Sequence, residues 1–506
     1  METFSNGRNS ASAGRTASLP PAGRRAHISS LTAALLALCV AGCGVSADEA
    51  VVPALSGAIH VNEPDHQAWI EALGAQGLDA VQVTLYARQQ HWDSPELIVP
   101  DNADAVIAEI RTAKAAGLGV SLVLRVALEQ GSAANRHYWH GMIWLDDDDI
   151  AAWFRTYREF ALWGAALAAA EDVDLLAIAS ELNSLTSTIA VDELPGLYAY
   201  FLDAEQTAAV RARLVSCAAA IRPEDLAPDL RFVDGGGYET LDEYLLAQEA
   251  ADRAWTQHVT GASYAADVDL DRLNARRAVY ERHWRDLIAE VRTVYAGPLS
   301  YAANFDQVQE VGFWDALDVV GANAYFPLSQ RGMVGERLEE ALTASWLRIA
   351  AELNGLADRE GGPGRVLPVM FFELGWTRKA ASTVRPFSYH RVEVLETAPP
   401  PGSAAGVSLT CVHWATAPED PFERVRALEA LDRVVEQGAF PTLRGFTLWK
   451  LTTDPAHRRL EPFAVVIPAS TDPGSDGGAV DTADRAFLHT AARLAQRLRR
   501  SASGGR

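Results

Sequence analysis

The feature that most constrains the fold of this chain is a repeated alternation of short apolar segments with longer amphipathic ones. Eight segments have the length and apolar content of buried strands, and most of them precede a segment with helical periodicity. This alternation is typical of parallel α/β structure, because parallel strands need a crossover connection between them. The predicted strands are 55–62, 80–87, 119–128, 173–180, 298–304, 316–325, 366–373 and 443–451.

Eight such units in one continuous run favour a closed barrel over an open sheet. A doubly wound sheet rarely needs eight strands, whereas a TIM barrel is built from eight strands, each followed by a helix. The predicted fold class is therefore α/β, a (β/α)8 TIM barrel over residues 53–500. The helices predicted around it are 66–77, 103–116, 150–169, 275–294, 336–353 and 482–498.

Two stretches interrupt the alternation. Residues 186–274 separate the fourth strand from its helix and contain helical segments of their own, such as 205–221 and 241–255. Because this stretch leaves the C-terminal end of a strand, we predict an α-helical insertion on the face of the barrel that carries active sites. Residues 379–421 contain Pro and Gly and are predicted to form the long loop after the seventh strand.

The N-terminal residues are predicted to be an export signal. Four arginines precede the apolar segment 31–40, which is too short to cross a bilayer as a helix. The string VAGC then ends at Cys43 and resembles the lipobox of bacterial lipoproteins. The resemblance implies a signal peptide over 1–42, a lipidated Cys43 as membrane anchor and a tether over 43–52. The alternative is an ordinary secretory signal cleaved near Ala47.

Charge and cysteine content narrow the possible partners. The formal net charge of −22 argues against binding nucleic acid, which requires basic patches, and suits an enzyme with a neutral substrate. Apart from Cys39 and Cys43, only Cys217 and Cys411 occur, and their spacing leaves open whether they pair. The sequence contains no CxxC or HExxH motif. We therefore predict no metal or other cofactor, and we expect a monomer.

Two predicted strands end at a glutamate. Glu181 follows the fourth strand and Glu373 ends the seventh. An isolated carboxylate is rarely buried in a core, but the C-terminal ends of barrel strands face the active site. Two carboxyls there suggest the acid/base and the nucleophile of a retaining glycoside hydrolase, and we assign these roles to Glu181 and Glu373 respectively. Taken alone, Glu181 has an equally simple interpretation as an ion-pair partner of Arg125.

The residues after the other strands are those of a carbohydrate site. Indole rings stack on sugar rings, and amides bind hydroxyl groups. We predict that Tyr325 hydrogen-bonds Glu373 and that Trp449 lies under the sugar at the cleavage point. His60, Trp139 and Trp144 have packing or loop roles as alternatives. The predicted substrate-binding residues are Tyr325, Trp449, Asn183, Asn304, Asn323, Trp376, Trp92, His60, Trp139 and Trp144.

Five strings together resemble glycoside hydrolase family 113, which is known for retaining endo-β-1,4-mannanases. The resemblance implies a TIM barrel and hydrolysis of β-1,4-mannan by double displacement. It implies that Glu181 and Glu373 are the catalytic pair, with Tyr325 and Trp449 beside the cleaved sugar. The strings are ASELNSLT at 179–186, LSYAANFDQV at 299–308, FWDALDVVGANAYFPL at 313–328, FFELGW at 371–376 and GFTLWKL at 445–451.

Two departures from this pattern bear on specificity. Ser180 stands where most enzymes of this clan have an asparagine that binds the sugar 2-hydroxyl, a contact that Asn183 could supply instead. The insertion after the fourth strand would reshape one side of the cleft. Two alternatives therefore stay open: a retaining exo-β-glycosidase of different sugar specificity, and an inactive carbohydrate-binding lipoprotein on the same barrel.

Overall fold

The computed structural model describes the barrel but not the N-terminal segment. Nearly all of the predicted signal and tether, including Cys43, and residues 187–240 of the insertion with Cys217 lie outside the described residues. In the part that is described, no helix has the length and apolar character needed to cross a membrane. The described residues are 52–61, 63, 65–99, 103–129, 132–135, 137–186, 241–262, 269–387, 391–397, 409–415, 418–459, 461–468 and 480–504.

The centre of the fold is a barrel of eight parallel strands. Each strand pairs with the next along the chain, and the first pairs with the eighth, which closes the sheet. The predicted TIM barrel is confirmed, and the predicted strand ends agree with the observed ones within three residues. The strands are β1 Ser56–His60, β2 Ala80–Gln89, β3 Gly119–Leu128, β4 Leu175–Ser180, β5 Leu299–Asn304, β6 Val319–Asn323, β7 Val369–Leu374 and β8 Leu443–Thr452.

Helices surround the barrel, and their apolar faces bury large side chains against it. Asp65 and Asp269 cap two of these helices by accepting hydrogen bonds from backbone N–H groups in the first turn. The helix of residues 421–436 was not predicted from the sequence. The helices are α1 His66–Ala75, α2 Ala103–Ala115, α3 Ile150–Ala170, α4 Leu241–Thr260, α5 Leu270–Val294, α6 Gly335–Gly361, α7 Pro421–Glu436 and α8 Thr482–Gly504.

The two interrupting stretches are more structured than loops. The helix α4, Leu241–Thr260, lies within the predicted insertion. The predicted loop 379–421 contains two antiparallel strands, Arg391–Thr397 and Leu409–Ala415, so the loop prediction was incomplete. In both strands apolar and polar residues largely alternate, which is the pattern of a strand with two different faces. Two short strands complete the described sheet: Leu97–Ile98 pairs with β2 and Val465–Val466 with β8.

The apolar filling of the barrel interior determines where the site can lie. A cluster that includes Val123, Ala302 and Val319 fills the barrel nearer the N-terminal ends of the strands. Because side chains alternate between the two faces of a strand, later residues on the same face also point into the barrel. Arg125, Asn304 and Asn323 share a face with Val123, Ala302 and Val319 respectively, so these polar residues lie at the C-terminal mouth.

Candidate active site

The structure places both predicted glutamates at the C-terminal mouth of the barrel. Glu373 lies in β7, and Glu181 directly follows β4 and donates its backbone N–H to the carbonyl of Ala302 in β5 at 2.9 Å. Both side chains are buried, and the residues are 8% and 4% exposed for Glu181 and Glu373. Glu181 has a φ of 49°, a left-handed conformation that a residue with a side chain adopts only where its surroundings hold it.

A single buried arginine connects the two carboxylates. Nη2 of Arg125 donates a hydrogen bond to Oε1 of Glu373 and lies 3.7 Å from Oε2 of Glu181. These two oxygens are therefore no more than about 7 Å apart, which accommodates the roughly 5 Å separation of retaining glycosidases. The alternative pairing of Arg125 with Glu181 is present as a contact, and of the two glutamates it is Glu373 to which Nη2 of Arg125 donates a hydrogen bond.

Glu373 is held at both of its oxygens. The Tyr325 hydroxyl donates to Oε2 at 2.7 Å, as predicted from the sequence, while Arg125 donates to Oε1. Donors on both oxygens favour the ionised form of a carboxyl group and fix its rotamer. Glu373 is thus an oriented carboxylate, which is what a nucleophile requires.

Glu181 is held by a residue that the sequence analysis did not assign to it. Nε2 of His140 lies 3.1 Å from Oε2 of Glu181. His140 begins the 3-10 turn His140–Met142 in the loop between β3 and α3. No sequence signal links these two residues, because they lie 41 positions apart in different loops.

The surroundings of Glu181 act on its pKa in opposite directions. Burial is the largest influence and raises the pKa, but the hydrogen bond with His140 and the charge of Arg125 outweigh it. Together they lower the pKa of Glu181 from 4.5 to about 2. This direction is opposite to the raised pKa that a general acid needs at neutral pH. The substrate-free site therefore holds Glu181 as a carboxylate beside His140.

Ser180, which departs from the clan pattern, joins three strands at the bottom of the site. Its Oγ accepts a hydrogen bond from Nη2 of Arg125 at 2.8 Å and a long one from Nδ2 of Asn323 at 3.4 Å. Ser180 and Asn323 are fully buried. The Ser180 hydroxyl thus helps to fix Arg125 between the two glutamates.

Trp449 lies beside the nucleophile side of the site. It packs with Tyr325 and Phe463 in a small aromatic cluster, and the Lys450 ammonium lies 4.2 Å from the centre of its ring. Its peptide bond to Lys450 is cis. The Trp449 carbonyl oxygen approaches Gly375 so closely that a Cβ there would lie 2.3 Å from it. The predicted sugar platform therefore lies next to the tyrosine that binds Glu373.

The two remaining predicted amides lie close to the catalytic strands. Asn304 is the last residue of β5 and lies on the strand face that points to the C-terminal mouth of the barrel. Its Oδ1 accepts a hydrogen bond from the N–H of Phe305 at 3.0 Å. Asn183 is 1% exposed in the turn Asn183–Leu185, two residues after Glu181. Asn304 therefore faces the site, whereas the turn encloses Asn183.

Three residues predicted to bind substrate lie in packing positions instead. Trp376 is 1% exposed, and its ring packs edge-on against Trp346 of α6 in the main core. Trp144 is buried against Trp255, with the Arg276 guanidinium 4.2 Å from its ring centre. An indole satisfies the same sequence pattern in a core or in a cleft. For Trp144 the observed packing is one of the two interpretations that the sequence left open.

His60, the third of these residues, lies between α1 and α2. With His66 and Glu109 it forms the one group among the described residues that could surround a metal ion. Nδ1 of His60, however, accepts the N–H of Glu63 at 3.0 Å, so neutral His60 carries its proton on Nε2. This nitrogen faces Glu109 at 3.3 Å and has no lone pair to give to a metal. We interpret the group as a polar contact between β1 and α2, in which Oε1 of Glu109 is buried and accepts no hydrogen bond.

Trp92 and Trp139 are half-buried on the acid/base side of the site. Trp139 contacts His140 edge-on, with ring centres 5.1 Å apart. Trp92 contacts His258 of α4 in the same way at 5.0 Å. The helix α4 of the insertion therefore packs against the loops on the side of Glu181, where the leaving group of a glycosidase lies.

Comparison with known proteins gives one family match, which covers part of the chain. A model of glycoside hydrolase family 113 matches residues 256–398, a segment that contains Tyr325 and Glu373 but not Glu181. No curated protein matches the chain. Several solved structures match the chain, with low identity and low structural similarity.

Three of these structures illustrate the similarity. The GH113 β-mannanase AaManA from Alicyclobacillus acidocaldarius is 16% identical, with 87% of this chain and 98% of that chain covered and a TM-score of 0.49. A GH113 β-1,4-mannanase is 17% identical, with 82% and 96% covered and a TM-score of 0.47. A fungal β-1,4-galactanase is 11% identical, with 86% and 94% covered and a TM-score of 0.36.

Proposed function

We propose that this chain, a glycosidase, hydrolyses β-linked polysaccharide with retention of anomeric configuration. Glu373 is the nucleophile and Glu181 the general acid and base. The observation that carries the proposal is that Arg125 contacts both carboxylates, while Tyr325 holds the second oxygen of Glu373. The separation of the two carboxyls thus has an upper limit that includes the spacing needed for double displacement, and each carboxyl has a different set of partners.

The reaction follows from these partners in two steps. In the first, a Glu373 oxygen forms a bond to the anomeric carbon, the bond to the leaving oxygen breaks, and that oxygen receives a proton through Glu181. In the second, Glu181 takes a proton from water, the water oxygen bonds to the anomeric carbon, and the bond to Glu373 breaks. Arg125 and Tyr325 orient Glu373 in both steps.

We propose β-1,4-mannan as the substrate, with endo cleavage. Support comes from the family 113 match over residues 256–398. A chain with a net charge of −22 suits a neutral glycan better than an anionic one. Trp449 beside Tyr325 offers a ring on which a sugar can stack at the cleavage point.

A substrate panel tests the substrate and the mechanism separately. The full chain is incubated with glucomannan, galactomannan, other β-glycans and aryl β-glycosides, and product size distinguishes endo from exo action. The anomer released first is identified by proton NMR. Release of the β-anomer supports retention, and release of the α-anomer contradicts it. Activity on another β-glycan but on no mannan would refute the mannan proposal and leave the mechanism standing.

Substitution of each glutamate tests the catalytic assignment. Glu181→Ala and Glu373→Ala are each expected to lower kcat by about 10³-fold or more, because each removes a group that makes or breaks a bond. Added azide should restore turnover of a dinitrophenyl glycoside in Glu181→Ala as the β-glycosyl azide, and in Glu373→Ala as the α-azide. Glu352→Gln, on the surface of α6, is the control. Full activity in either alanine variant would refute the assignment.

We also propose that Cys43 is lipidated and anchors the mature enzyme to the bacterial cell membrane on its exported side. The support is the VAGC string after a short apolar segment. Mass spectrometry of the mature N-terminus tests this proposal. A diacylglyceryl-modified Cys43 is the expected result, and an unmodified N-terminus beyond Cys43 would refute it.

A further inference from the structure

We propose that His140 is a positioning residue that shares one proton with Glu181, so that the leaving group is protonated from the pair rather than from the carboxyl alone. This inference rests on the proposed function and assigns a further residue to it. His140 lies outside the segment that matches the family model.

The contact itself requires a shared proton. Nε2 of His140 and Oε2 of Glu181 are 3.1 Å apart, and the two residues are only 7% and 8% exposed. A carboxylate only accepts hydrogen bonds, so either Nε2 carries the proton or Glu181 does. The proton therefore lies between the two residues whichever of them holds it.

The fold holds the imidazole in this position from both sides. The Ser184 hydroxyl, three residues after Glu181, lies 2.6 Å from the Gly141 carbonyl and 2.8 Å from the Ile143 carbonyl. Nε1 of Trp255 in α4 donates to the Met142 carbonyl at 2.8 Å. The turn that carries His140 is thus bound to the turn after Glu181 and to the inserted helix.

Trp139 closes the remaining side of the imidazole. Its ring contacts His140 edge-on, and it lies so close to Gly141 that a Cβ on that residue would meet it at 2.2 Å. A side chain at position 141 would force the ring of Trp139 to move. The glycine therefore allows one indole to cover the histidine beside the acid/base glutamate.

The other groups that face Glu181 cannot supply its proton at neutral pH. Arg125 of β3 is a permanent cation and also binds Glu373 of β7. Tyr301 of β5 accepts the Leu182 N–H, and burial raises its pKa, so it stays protonated. Tyr325, after β6, donates to Glu373. Of these side chains, His140 is the one that hydrogen-bonds Oε2 of Glu181 and can also carry a proton to it.

The pair accounts for the acidity of Glu181. A carboxyl whose pKa is lowered to about 2 does not keep a proton at neutral pH, yet the leaving oxygen needs one. In the first step we propose that His140 starts as an imidazolium with both ring nitrogens protonated. Its Nε2 proton moves to Glu181 while Glu181 gives a proton to the leaving oxygen, so His140 becomes neutral and Glu181 ends the step as it began. In the second step Glu181 takes a proton from water, and a proton passes back to Nε2 of His140. Both side chains then have the protonation states with which the first step began.

The experiment compares His140→Gln and His140→Ala with the wild-type chain on two aryl β-glycosides. The glutamine keeps an N–H donor but cannot carry the exchangeable proton. We expect kcat/KM for a poor leaving group, such as methoxyphenol, to fall by about 10²-fold or more in both variants. For dinitrophenol, which leaves without protonation, we expect a loss below about tenfold. The alkaline limb of the pH profile should also shift, because the carboxyl alone must then hold the proton.

His283→Gln is the matched control. His283 is a half-buried histidine of α5 whose ring stacks on Phe154 at 4.6 Å, outside the site, so both substrates should be hydrolysed as by the wild type. Thermal unfolding of each variant verifies that it is folded.

Two outcomes would overturn the inference. Equal losses on both substrates would mean that His140 only supports the shape of the site, and an unchanged pH profile would mean that it holds no working proton. Failure of the proposed function looks different. In that case Glu181→Ala itself would keep activity on the poor leaving group, whatever the His140 variants show.

Discussion

Arg125→Met should destabilise the protein strongly at neutral pH, because it removes the cation that the two buried carboxylates share. Breaking a buried ion pair from one side costs about 3–5 kcal/mol, since the partner charge stays buried without compensation. The lowered pKa of Glu181 gives a free-energy cost of similar size. Lowering it from 4.5 to about 2 corresponds to about 3 kcal/mol, of which Arg125 provides one part and His140 another. Loss of the hydrogen bond between Arg125 and Glu373 adds to the free-energy cost of removing Arg125.

The same pKa predicts how the effect depends on pH. A carboxyl with a depressed folded-state pKa contributes stability above its unfolded value of 4.5, and this contribution is lost as pH falls toward about 2. In Arg125→Met the carboxyls bind protons more readily, so the variant loses less stability than the wild type as the solution is acidified. The difference between the two proteins should therefore shrink by about 1 kcal/mol or more between pH 7 and pH 3.

Urea unfolding at pH 7 and pH 3, followed by tryptophan fluorescence, measures both quantities. Arg88→Met is the matched control on the neighbouring strand β2. Arg88 pairs with Glu129 at 2.8 Å, but its side chain is 51% exposed, so its loss should cost less than about 1 kcal/mol. A cost below 1 kcal/mol for Arg125→Met, or a cost that is equal at both pH values, would refute the reasoning.

Three further substitutions test single contacts. Tyr325→Phe removes the hydrogen bond to Oε2 of Glu373 and should lower kcat on aryl glycosides by about 10- to 100-fold with KM little changed; an unchanged kcat would contradict the orienting role. Glu63→Gln weakens a buried carboxylate that accepts three hydrogen bonds from Thr452 and Thr453, and we expect a loss of about 1–3 kcal/mol in urea unfolding without a change in KM. Trp376→Ala empties a core position and should cost about 3–5 kcal/mol, whereas a purely substrate-binding tryptophan would raise KM and leave stability unchanged.

The barrel and its two glutamates could be predicted because they depend on local pattern. The period of two along the strands and of 3.6 along the helices is a property of consecutive residues, and it placed every barrel strand. Once Glu181 and Glu373 are at strand ends, the closure of the barrel brings them to one mouth. The position of Tyr325 two residues after β6 followed from the same reasoning.

The roles of individual tryptophans and histidines could not be predicted from the local sequence pattern. Trp376 and Trp144 satisfy the expectation for a sugar site, yet both are core residues, because an indole buries the same surface against Trp346 or Trp255 as against a ligand. His60 follows β1 as an active-site residue would, but it faces Glu109 of α2.

The sequence alone predicts an eight-stranded barrel with two carboxylates at its mouth and an export signal before it. Only the tertiary structure decided how those carboxylates differ. Arg125 and Tyr325 bind Glu373, whereas His140 binds Glu181 from a loop 41 residues away. The physical reason is that the charge and pKa of a buried carboxyl depend on which donors lie within about 4 Å of it. Residues distant in the chain provide those donors, so no local pattern can encode them.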